Sequence, residues 1–211
     1  MSAGTTRLLL LGAVSLFEPV NGYQIRRELL SWRVDEWASI RPGSIYHGLR
    51  ALAGQELLTA TTIDDDGRDV VVYEITPEGR SRMETMIVDA IESVNVFDRR
   101  AFLAAFSLLP TLAEEQARAS LTNRRAALVD GLAELVAGQS NEYAPPHARR
   151  TLDLWTRLAW TELTWLDGVF AEWEGGDLRA TFHHSWAPPA DDPGTEMIAE
   201  RERYLRALGR S

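Results

Sequence analysis

The chain has 211 residues, 45% of them hydrophobic, a formal net charge of −9 and no cysteine. That is enough apolar sequence for one large core or two small ones, while the absent thiols exclude disulfide and thiolate chemistry and fit a reducing cytoplasm. The charge argues against indiscriminate binding to nucleic acid or anionic membrane but leaves room for a local basic surface.

The opening "TTRLLLLGAVSLFEP" places one arginine before an apolar run, as a signal peptide does. Glu18 and Pro19 end the run too early to span a bilayer, and no cleavage pattern follows, so a buried first helix capped by Thr5 or Thr6 is expected. "EPVNGY" is a turn broken by Asn21 and Gly22, and "GYQIRRELLSW" restarts a helix with Ile25, Leu29 and Trp32 on one face. Pro42 opens a third helix whose apolar stripe is Ile45, Leu49 and Leu52. Ser44, His47, Gly48 and Arg50 fall off that stripe and are expected to face outward.

"LLTATTI" and "VVVYEIT" are β-rich runs joined by "DDDGRD", whose Asp-Gly pair signals a hairpin. Thr76 and Pro77 cap and open a longer helix carrying Met83, Ile87 and Ile91. Helical patterns then fill the chain: one ending at Pro110, one ending at Gly138, and one from about His147 stopped by Gly175 and Gly176. Residues 177–194 look like a loop, followed by the charged helix "TEMIAERERYLRAL". The expected domains are 1–88, 89–176 and a tail at 177–211.

Three helices followed by a two-stranded hairpin form a winged helix-turn-helix, in which the third helix enters the major groove. Three motifs sharpen this: Gly22, Tyr23 and Ile25 in the second helix; Pro42, Gly43, Ser44, Tyr46 and Leu49 in the third; Tyr73, Ile75, Thr76 and Gly79 after the hairpin. Together they resemble the DNA-binding domain of PadR-family transcriptional regulators. The resemblance continues less specifically to about residue 174. It implies a mainly α fold, an N-terminal winged helix-turn-helix with an α-helical C-terminal dimerisation domain. It also implies a cytoplasmic homodimeric repressor with double-stranded DNA as partner, control by a small-molecule effector, no cofactor and no membrane.

Candidate DNA-binding residues are Arg41, Ser44, Tyr46, His47, Arg50 and Arg68. Arginine grips phosphate or guanine bidentately, and Ser44 and Tyr46 stand where helix N–H groups also meet phosphate. All 22 basic residues are arginine, for which genome composition is the plainer cause. Tyr46 serves packing equally well, and Arg68 stands alone among the four wing carboxylates, which put the wing's contribution in doubt.

Between Thr151 and Trp173, apolar residues including Leu154, Leu158, Trp165 and Leu166 cover about half the helix circumference, too broad for one surface helix. That breadth suits a core plus a partner subunit. Glu162 lies within it and must be paired or open to water. Either it bridges to an arginine across a dimer, or it lines an effector cavity with Trp155 and Trp165. His183, His184, Asp191 and Asp192 lack the spacing of a structural metal site, so no metal is expected. No nucleophile elbow, phosphate loop or framed acid pair suggests an enzyme. The alternative to a regulator is a dimeric winged-helix ligand- or protein-interaction module that no longer binds DNA tightly, favoured by the acidic wing.

Overall fold

The computed structural model describes residues 3–139, 143–183 and 194–210. The chain divides into two compact units, Met1–Ile87 with Trp186–Ser211, and Val88–Ser185. The tail is therefore not a separate third segment. Its helix belongs to the first unit, because Tyr204 is buried there against the hairpin.

The first unit begins with α1 (Ala3–Phe17) and the two-residue strand β1 (Val20–Asn21). Three helices follow: α2 (Gly22–Ser31), α3 (Val34–Trp37) and α4 (Pro42–Gly54). The hairpin is β2 (Leu58–Asp64) and β3 (Asp69–Ile75), after which α5 (Pro77–Glu92) leads out. Thr5 and Thr6 lie inside α1 rather than capping it, since apolar residues beyond them already pull that turn onto the core. Leu8 to Leu11, Ile25, Leu29, Ile45, Leu49 and Leu52 are all buried. Each such side chain contributes about 1.5–3 kcal/mol through loss of water contact.

Asn21 caps α2 in a reciprocal box: its Oδ1 accepts from the Gln24 N–H at 2.9 Å, and its own N–H donates to Gln24 Oε1 at 2.8 Å. The sheet order is β1-β3-β2, all antiparallel. Neither β1 nor α3 is visible as a period in the sequence, each being too short to repeat. The hairpin closes on Asp66 and Gly67, both at positive φ, with the Asp65 and Arg68 backbones bonded to each other. This is the two-residue turn that the Asp-Gly pair encodes.

The second unit holds α6 (Arg100–Ser107), a 3₁₀ turn (Leu109–Thr111), α7 (Glu114–Gln139), α8 (Pro146–Gly175) and α9 (Asp177–Ala180). α7 and α8 run antiparallel, since Arg118 pairs with Glu174 while Arg125, further along α7, pairs with Asp167, further back on α8. Gly176 at φ 96° ends α8. The expected loop after it contains α9; His184, Asp191 and Asp192 lie outside the described residues.

Glu162 is buried, and both its partners come from its own chain. Arg124 donates to its Oε1, and Arg99 Nε donates to its Oε2 at 2.7 Å. Neither the bridge to another subunit nor the open cavity expected from the sequence describes it. Two guanidiniums leave this carboxylate no need of water or of a ligand.

Candidate nucleic-acid interface

α4 is held by three independent contacts. Its buried stripe of Ile45, Leu49 and Leu52 faces the core. A Cβ on Gly48 would come within 2.4 Å of Leu10 Cδ1, so Gly48 faces α1 and not outward as the pattern suggested. A Cβ on Gly22 would lie 3.0 Å from the Tyr46 ring, so α2 and α4 touch where glycine lets them. The pairing of Gly22 with Tyr46 joins the first two sequence motifs physically.

The stop of α4 is equally specific. The Leu57 N–H bonds to the Leu52 carbonyl and the Glu56 N–H to that of Ala53, a Schellman cap with Glu56 at φ 59° in the position that glycine usually takes. Thr76 Oγ1 donates to the Glu56 carbonyl at 2.8 Å and accepts from the Gly79 N–H at 2.9 Å. Any Cβ on Gly79 would meet the Leu57 carbonyl oxygen at 2.0 Å. The third motif is therefore the seam that fixes the root of the hairpin beside α4.

On the side of α4 away from its stripe, Gly43, His47 and Arg50 are exposed. Arg41, the N-cap residue, is exposed at the start of the helix. Ser44 donates its hydroxyl to the Arg41 carbonyl at 2.6 Å, so only its oxygen lone pairs remain available outward. Burial pushes the Tyr73 phenol above its ordinary value, while the nearby Arg50 guanidinium works against that rise. Arg50 therefore leans towards β3. Among the described residues Arg41, Arg50 and Arg68 form no ion pair, whereas Arg27, Arg33, Arg80, Arg203 and Arg210 of the same unit all do. Cations left without carboxylates, one on α4, one at its start and one in the hairpin turn, are available to an anion.

At the wing, Asp64 Oδ1 accepts from the Gly67 N–H at 2.6 Å and Asp65 faces Arg203 at 3.5 Å. Asp64, Asp66 and Asp69 are exposed and Asp65 is half-buried, so the tip remains acidic apart from the Asp65 carboxylate that Arg203 faces. Arg203 was absent from the sequence-based candidates. The signal for it was Met197, Tyr204 and Leu208 at helical spacing within a charged tail.

The three residues grouped as an effector site are not gathered in one cavity. Trp155 packs edge-on against Phe97, Trp165 lies against Phe102 and Phe106, and Glu162 is occupied by its two arginines. Among the described residues no group of side chains could hold a metal ion, and no helix is long and apolar enough to cross a membrane.

Three helices packed under a hairpin, with the last one presenting the unpaired Arg50 and capped by the unpaired Arg41, define a winged helix-turn-helix domain. Residues 10–85 match the Transcriptional regulator PadR-like family. Among solved structures the chain is similar to Bacillus subtilis PadR in complex with operator DNA. The identity is 18%, with 78% of this chain and 96% of that chain covered and a TM-score of 0.32. Comparison with curated proteins finds no match.

Proposed function

We propose that the protein is a DNA-binding transcriptional regulator acting as a homodimeric, ligand-responsive repressor. The observation that carries this is α4: His47 and Arg50 exposed on it, Arg41 exposed at its start, and no carboxylate paired with either arginine among the described residues. The match of residues 10–85 to a regulator family supports the same reading. Two copies of α4 would enter successive major grooves of a pseudo-palindrome about 34 Å apart.

Dimerisation is supported by Leu154, Leu158 and Trp165, which are 55%, 39% and 42% exposed on one flank of α8. An effector has a place in the groove of about 500 Å³ between α7 and α8, lined by Val129, Leu132, Val136, Trp160 and Leu163. That volume suits a small molecule. A ligand there acts by preferring one arrangement of the pair over another.

Fluorescence anisotropy on DNA from immediately upstream of its own gene, against a scrambled duplex over a salt series, tests the proposal. Selective binding with log affinity falling linearly in log salt is expected. The exposed Asp64, Asp66 and Asp69 favour a second reading, a winged-helix interaction module without tight DNA binding. Weak, equal affinity for both duplexes at low salt would select it.

A further inference from the structure

The C-terminal helix, α10 (Gly194–Ala207), belongs to the DNA-binding unit yet has no part in the reading through α4. It lies against the hairpin. The strand register puts Ile63, Val70, Val72 and Glu74 on one face, and Tyr204 and Leu208 pack on the three apolar members of that face. Tyr204 is 1% exposed, and its hydroxyl accepts from Asn21 Nδ2 at 2.8 Å. Gln24 Nε2 donates to Glu200, and Arg201 Nε donates to the Glu18 carbonyl at 2.7 Å. α10 thus grips the cap of α2 and the outer face of the wing together.

That grip brings charge to the place where the hairpin is poorest in it. The wing tip has four carboxylates, Asp64, Asp65, Asp66 and Asp69, against Arg68 alone. Arg203 places Nε and Nη2 each 3.5 Å from one of the two Asp65 carboxylate oxygens while remaining 44% exposed. Arg206 follows about one turn later, exposed and without an ion-pair partner among the described residues. Charges at such spacing act on a phosphate within about 10 Å before salt screens them.

We propose that α10 is a working part of the DNA-binding surface, and that Arg203 supplies the positive charge that the wing tip lacks by neutralising Asp65. The proposal rests on the DNA-binding reading above. It assigns to the end of the chain a role in affinity, and makes Arg203 a positioning and charge-setting residue rather than a reader of bases.

The test uses the full-length protein and random-sequence duplex DNA, because phosphate contacts need no operator. Arg203→Gln should weaken binding about three- to tenfold at low salt, with the melting temperature unchanged. Asp65→Asn in the same protein should recover most of the loss, which a packing defect would not allow. Equal binding by wild type and Arg203→Gln, or no recovery in the double variant, overturns the proposal and leaves α4 as the sole reading element. Absence of binding by the wild type on this DNA and on its own upstream DNA overturns both this proposal and the DNA-binding reading. Hydrogen exchange supplies an independent measure: Tyr204→Ala should speed exchange of the β2 and β3 amides, and unchanged exchange would mean that α10 does not hold the wing.

Discussion

Glu162 and Arg124 form a buried ion pair in which one guanidinium serves three acceptors. Nε and Nη2 reach the carboxylate, while Nη1 donates to the carbonyls of Ile91 at 2.8 Å and Ser93 at 3.1 Å. Its carbon centre also lies 3.7 Å from the centroid of the Phe102 ring. Burial pulls this guanidinium below its ordinary pKa, and Glu162 works against that. Arg124→Met should destabilise the protein by about 3–5 kcal/mol, because it leaves a buried carboxylate with one partner and two carbonyls dry. Arg124→Lys should recover little, since a point charge cannot fork between three acceptors. Chemical denaturation measures both, and a loss under about 1 kcal/mol for the methionine variant would contradict the packing.

Asp98 provides a pH handle at the head of α6. The Arg100 guanidinium and then its backbone N–H donate to it, holding its carboxyl down at about 2. A folded value below the ordinary aspartate value stabilises the fold above about pH 4, and the gain is lost as pH falls towards 2. The pair is well exposed, so the effect is small. Carboxyl NMR should place the Asp98 midpoint well below 3.9 in the wild type and move it part of the way back in Arg100→Gln, which keeps the backbone N–H donor.

How much of this was legible in the sequence depends on period and partner. α4, the hairpin and α8 repeat their apolar residues several times, and their boundaries follow from Pro42, the Asp-Gly turn and Gly176. α3 and β1 are too short to carry a period. The direction of Gly48 was misjudged because a glycine has no hydrophobicity to report, though Leu10 needs its missing side chain. Glu162 stood out correctly as a carboxylate among apolar residues, but its partners lie 38 and 63 positions away and no spacing rule reaches them. The candidates on α4 were accessible because helical geometry alone separates a face from its back; Arg203 needed the docked α10.

The two ends of the α4 seam should respond oppositely to substitution. Glu56 occupies a left-handed conformation that costs an ordinary residue about 1–2 kcal/mol, so Glu56→Gly should raise stability by roughly 1 kcal/mol. Gly79→Ala should lower it by more than about 2 kcal/mol. The gain of about 1 kcal/mol in helix propensity cannot offset a Cβ placed 2.0 Å from the Leu57 carbonyl oxygen, a backbone atom that cannot swing aside. Thermal unfolding of the two variants gives the signs, and a stabilising Gly79→Ala would show that the seam can open.

Leu158 and Trp165 flank the buried stripe of α8 and are only partly covered by their own chain. If they meet a second copy, Leu158→Glu combined with Trp165→Glu should convert a dimer into a soluble monomer with the helix content unchanged. Sedimentation velocity at micromolar concentration distinguishes the two states. A wild-type protein that already sediments as a monomer there would remove the homodimer from the proposed function.

Arg50 decides what kind of contact α4 makes. In helix-turn-helix proteins the base edges are met by the N-terminal residues of the presented helix, and Arg50 is the ninth residue of α4, with its guanidinium leaning towards Tyr73 on β3. A cation so far along the helix, turned towards the wing, is placed for the phosphate backbone, and the base edge falls to His47 nearer the start. Arg50→Ala should therefore weaken binding to the upstream duplex and to a scrambled duplex by the same factor, and reduce the slope of log affinity against log salt by about 1. His47→Ala should instead act mainly on the upstream duplex, where a good base contact contributes about 1–3 kcal/mol of discrimination. A loss for Arg50→Ala confined to the upstream duplex would reverse the two assignments, making Arg50 the reader of sequence and returning His47 to the solvent.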